Sequence, residues 1–232
     1  MLLLMWIGVA LAGDAWCGAD GLAADRGWRP SVSGNEQIAV SETGLFRVHY
    51  TVEGEDSPSG AVTDDVPDMV PRVLVALEDG RAAFELAGWR RLSRDDGDGG
   101  DDAIDVYITQ LDAFGYANAT LSDSGDGASC FLRLDPDLPT LGEGIVESVS
   151  YHELHHCVQY RYTTETAPWI YEAQATLEQY RLADNAASDV LVNVLWIQRL
   201  TQPERGLDKV GARFEYAGFV FAKFWEEAHD GA

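Results

Sequence analysis

Ser150-Tyr151-His152-Glu153-Leu154-His155-His156-Cys157-Val158-Gln159-Tyr160 is the stretch from which the rest of the chain is best read. It contains His-Glu-x-x-His as His152, Glu153 and His156. Residues four apart on a helix lie on one face, one turn above the other. Both imidazoles can then reach a single metal ion, with nitrogens about 2.0–2.1 Å away. Glu153 follows the first ligand directly, so it stands beside the metal, where it can take a proton from a bound water. The bland alternative is a surface helix carrying two solvated histidines.

A catalytic zinc usually takes three protein ligands and leaves its fourth position to water. A third His six residues after the second is one solution, but that position is Tyr162, and Gln159 stands where the accompanying Gly belongs. The other solution is a Glu on a following helix. Trp169-Ile170-Tyr171-Glu172-Ala173-Gln174-Ala175 supplies it. Glu172 sits one turn into that helix, after a loop long enough to reverse direction, so a helix hairpin can bring it beside His152 and His156. Glu178, further along, is a candidate hydrogen-bond partner for a ligand histidine.

Working outward, Phe46–Val52 alternates apolar and polar residues, as a strand with one buried face does. His49 falls on its polar side and is expected to be exposed. A Gly/Ser/Pro/Asp loop follows, then a helix from about Val66 to Leu86, with Val70, Val73, Leu74, Leu77 and Phe84 at helical spacing. Ile104–Ile108, a short segment within Phe114–Leu121, and Ser129–Leu134 read as strands. Helices are expected at Ile145–Arg161, Trp169–Ala183, Val190–Leu200 and Tyr216–Ala228. Between the first helix and the second strand runs Asp95-Asp96-Gly97-Asp98-Gly99-Gly100-Asp101-Asp102. Carboxylates among glycines can wrap Ca2+, with Asp96, Asp98 and Asp101 as candidate ligands, although EF-hand spacing is absent. Asn118-Ala119-Thr120 is a glycosylation sequon.

The N-terminal run Met1–Ala12 is too short for a membrane span and has the character of a secretory signal core. Ala10-Leu11-Ala12 and Cys17-Gly18-Ala19 offer cleavage sites, giving a signal peptide within 1–19 and a mobile leader over 20–43. Export would allow Cys130 and Cys157 to pair; two free buried thiols is the equal alternative. Composition narrows the partners. The 232 residues carry 39 acidic against 16 basic side chains, a formal charge of −23. Lys209 and Lys223 are the only lysines. Nucleic acid and anionic membranes need basic patches that this balance does not offer; an acidic surface suits cationic peptides better.

With the His pair and the Trp-x-x-Glu-Ala-x-Ala segment together, the chain resembles the gluzincin metallopeptidases. The fuller pattern is similar to a family of secreted bacterial metalloproteases known from myxobacteria and relatives, through Phe46–Tyr50, Val66–Asp68, Asp95–Tyr107 and His152–Gln159. The likeness spans most of 45–228, with Ala173 where Gly is commoner. It implies His152, His156 and Glu172 as Zn2+ ligands, Glu153 as catalytic base, and a peptide or protein substrate. It also implies a donor for the developing oxyanion on a later helix. Tyr216 is the candidate, against Tyr171, Tyr151 and a plain core role. The implied fold class is α+β and zincin-like. A small mixed sheet with a backing helix and the active-site helix (44–162) would precede a helical lower part (163–232). A non-catalytic, calcium-stabilised extracellular module of the same shape is the alternative.

Overall fold

The computed structural model describes residues 17–22, 28–121, 127–183 and 186–229. The Met1–Ala12 signal core lies outside them. Six strands form one mixed sheet: β1 (Cys17–Leu22), β2 (Gln37–Val40), β3 (Phe46–Tyr50), β6 (Ile104–Ile108), β7 (Gly115–Leu121) and β8 (Ala128–Leu134). Their order is β1-β7-β8-β6-β3-β2. A separate two-stranded ribbon, β4 (Val62–Thr63) with β5 (Val66–Pro67), leads into helix α1 (Met69–Leu86). β3, β6 and β8 run parallel, β7 returns antiparallel to β8, and β1 lies parallel to β7.

Side-chain alternation divides the sheet into two faces. Phe46, Val48, Tyr50, Ile104, Val106, Ile108, Leu132 and Leu134 enter the main core, with Met69, Val73, Leu77 and Phe84 of α1 and Val149, Leu154 and Val158 of α2 (Ile145–Tyr160). Each such side chain contributes about 1.5–3 kcal/mol when fully buried. Two links pin α2 in place. Arg72 of α1 donates a forked pair of hydrogen bonds, both 2.7 Å, to Glu147. The Cys130–Cys157 disulfide joins β8 to α2. Gly80 lets the two helices approach, since a Cβ there would lie 3.0 Å from both Leu154 and Tyr151.

The opposite face is lined by residues 28–36, part of the stretch expected to be a mobile leader. Val32 packs with Tyr107 and Phe131 in a second small cluster. Arg29 stacks over Phe131 and pairs with Asp95, Asp98 and Asp105. The expectation for His49 fails. It is buried, held between Glu36 at 2.9 Å and Asp105 at 3.0 Å, and its ring stacks on Tyr107. Polar alternation marked the far face correctly, but segment 28–36 covers that face. Asn118 of the sequon is likewise buried, accepting from Arg133 at 3.0 Å.

Beyond the sheet, α3 (Pro168–Leu182), α4 (Ala186–Thr201), a short 3-10 turn at Tyr216–Gly218 and α5 (Phe219–His229) complete the described chain. α3 packs on α2 and in turn carries α5 and the turn. Pro168 occupies the first helical position, where a missing N–H costs nothing.

Candidate metal centre

The α2–α3 hairpin builds the site. Helical spacing puts His152 and His156 on one face of α2, and their rings lie 4.9 Å apart. The two helices run in opposite directions: Glu172 stands beside both histidines, while Gln179, two turns on, reaches His152 and Ser148. Glu172 Oε2 is 3.1 Å from His152 Nε2 and 3.6 Å from His156 Nε2. One ligand atom from each of the three residues lies within 4.8 Å of the others, and all three residues are buried. Among the described residues this is the group of His, Cys, Asp or Glu side chains that could hold a metal ion.

The donor set and its surroundings fit such an ion. Each histidine uses its Nδ1–H elsewhere: His152 donates to Gln179 Oε1 at 3.0 Å, and His156 to Gln159 Oε1 at 2.7 Å. Both Nε2 atoms are thereby left facing Glu172, and His156 Nε2 has no hydrogen-bond partner among the described residues. Such outer partners fix the tautomer and ring orientation of metal-binding histidines. The carboxamides are themselves held. Gln179 Nε2 donates to Ser148 Oγ at 2.7 Å. Gln159 Nε2 donates to the Tyr171 carbonyl at 3.0 Å and to Gln174 at 3.1 Å.

Burial opposes charge on both imidazoles. For His152 it prevails and lowers the pKa; for His156 the Glu172 carboxylate reverses it, raising the pKa to about 9. Burial also works against the Glu172 carboxylate, yet the facing imidazoles, His156 foremost, hold it down to about 2. The cluster therefore already attracts a positive charge, and a divalent cation is a stronger form of the same partner.

Glu153 is fully buried next to the group. It packs against Gly115, where a Cβ would fall 2.8 Å from Glu153 Cγ and 3.1 Å from Oε1. The start of β7 thus has room for the carboxylate only because position 115 has no side chain. Of the three tyrosines considered, Tyr216 is buried with its ring 5.8 Å from that of His152. The Tyr171 hydroxyl is spent on the Thr163 carbonyl. Tyr151 is half-buried against Gly80 of α1. His155 is a packing residue, wedged edge-on between Phe84 and Trp89, and burial holds it uncharged.

Other expected site residues are not gathered. Asp98 and Asp101 face Arg29 and Arg47, and with Asp96 they form no convergent ligand group among the described residues. Glu178 turns to Arg181 at 2.6 Å; the residue that meets the ligand histidine is its neighbour Gln179. Gln179, Ser148 and Gly115 escape the sequence reading. For Gln179 a signal existed, since seven residues after Glu172 is the same helix face two turns on. Cys130 and Cys157, left open as a pair or as free thiols, are bonded, with Cα atoms 5.6 Å apart. In comparisons with family models, curated proteins and solved structures, nothing matches this chain.

Proposed function

We propose that this chain is an exported zinc-dependent peptidase of the gluzincin type, with a zincin-like fold, hydrolysing peptide bonds in peptide or protein substrates. The observation that carries this reading is the convergence of both histidine Nε2 atoms on one Glu172 oxygen, with Glu153 buried alongside. His152, His156 and Glu172 would hold the ion. Zinc in such a site supplies Lewis acidity and brings the pKa of a water toward ~7. Glu153 accepts the proton of the attacking water and delivers it to the leaving amine. Gln159 and Gln179 keep the two imidazoles in one tautomer and one orientation throughout. Tyr216 is the donor we assign to the developing oxyanion, because its ring lies close to His152. Export is supported by the Cys130–Cys157 disulfide, which oxidising compartments favour. No helix of the described residues is long and apolar enough to cross a membrane.

The test uses protein purified without a chelating tag. Zinc content and casein hydrolysis are compared between the wild type and Glu153→Gln. Retained zinc with hydrolysis reduced by about 10²–10⁴-fold is the expected result. Absence of zinc in the wild type, or equal activity in the variant, would sink the reading. Glu172→Ala should lower zinc occupancy; full occupancy would remove Glu172 from the site.

A further inference from the structure

Helices α2 and α3 and strand β7 surround the His152/His156/Glu172 group, β7 through the contact of Gly115 with Glu153. Strand β1 touches all three elements. It pairs parallel with β7, Cys17 opposite Gly115, Gly18 opposite Tyr116 and Ala19 opposite Ala117. With β1 in place, β7 is an interior strand; without it, β7 is the sheet edge nearest Glu153. His152, Glu153, His156 and Glu172 are each no more than 5% exposed. The cavity of about 420 Å³ bounded by Trp89, Trp169, Leu177 and Trp225 opens on a different face of α3 from the one bearing Glu172 and Gln179. Among the described residues, β1 therefore covers the β7 edge along which an extended peptide would approach the group.

We infer that residues 17–22 are a plug in cis: β1 occupies the β7 edge that an extended substrate must use, and the site opens when β1 leaves. This rests on the peptidase reading and adds its regulation. An unpaired strand edge recruits extended peptide through backbone hydrogen bonds, largely independent of side chains. The chain's own segment, which signal cleavage after Ala12 leaves in place, satisfies that edge first. Its hold is built to be weak. Cys17-Gly18-Ala19-Asp20-Gly21-Leu22 contains two glycines and an aspartate, all poor strand formers. The register breaks between Ala19 and Leu22, and parallel pairing is the less stable kind. A strand so held exchanges with the open state at low local free energy.

The full chain, carrying an inserted recognition sequence for a specific protease within residues 23–27, is folded whole, loaded with zinc and then cut once. Three quantities are compared before and after cutting. They are hydrogen exchange of the 115–119 amides, the rate at which a small chelator strips zinc, and hydrolysis of a quenched fluorescent peptide. An open state populated at about 0.1–10% in the intact chain predicts about tenfold to thousandfold faster hydrolysis once the plug is free to dissociate. Exchange and stripping should rise with it. Ala19→Pro, which removes a backbone donor from the middle of β1 without cutting, should move all three in the same direction. If exchange and stripping stay unchanged after release of the segment, the plug is refuted. Faster hydrolysis by the intact chain than by the cut one refutes it too. If exchange and stripping accelerate while neither form hydrolyses peptide, the plug stands and the peptidase reading falls.

Discussion

Replacing Gln179 by Ala removes the acceptor that holds His152 Nδ1–H, 3.0 Å away and fully enclosed. A buried donor stripped of its partner costs about 1–3 kcal/mol. In the metal-free chain His152 can relieve part of that cost by rotating, because its Nε2 is then tied only to Glu172. With the ion bound, the ring is fixed and the cost is paid in full. The difference falls on metal affinity, and loss of an outer partner of this kind weakens binding by about 10–100-fold, which corresponds to about 1.4–2.7 kcal/mol. Competition titration against a chromophoric zinc chelator reads it directly. Glu178→Ala is the internal control, because Glu178 turns to Arg181 and away from the ligands. Gln179→Glu keeps an acceptor and should recover most of the loss. Zinc affinity of Gln179→Ala within threefold of the wild type, or an equal loss in Glu178→Ala, would refute the assignment.

Three further outcomes are expected. Gly115→Ala drives a methyl into Glu153 Cγ, now 2.8 Å from where that methyl would stand; hydrolysis should fall by about 10²-fold with zinc retained, and wild-type rates would contradict the contact. Replacing Cys130 and Cys157 by Ser opens a loop of sequence separation 27. Denaturant unfolding should then show a loss of about 3–4 kcal/mol by the chain-entropy relation, and an unchanged midpoint would count against it. Burial and then the Asp105 carboxylate raise Asp95 from 3.8 to about 7. A raised carboxyl keeps its proton in the folded state after the unfolded chain has released it, so stability falls as pH rises from about 4 to 7. Asp95→Asn should flatten that part of the melting-temperature profile; parallel profiles for the two proteins would show that Asp95 does not titrate there.

Local periodicity was enough for much of this protein. The 3.6-residue spacing of apolar positions in α1 and the period of two in β3 located these elements within a few residues of where they lie. His152, His156 and Glu153 were legible for the same reason, since a one-turn spacing is a property of the helix itself. Glu172 was legible because only a short loop separates its helix from theirs. Tertiary structure decided whatever depends on a second segment arriving from elsewhere in the chain. His49 looked exposed because nothing in its own strand tells of residues 28–36, which bring Glu36 to its ring. The acidic run looked like a cation site because Arg29 and Arg47, which pair with its Asp95, Asp98 and Asp101, lie more than fifty positions away from those partners. Gln179 and Ser148, thirty-one residues apart, meet only in the packed hairpin. The pairing of Cys17–Leu22 with β7 joins segments nearly a hundred residues apart. Backbone hydrogen bonds of a sheet carry almost no side-chain signature, so that pairing left no mark on the sequence.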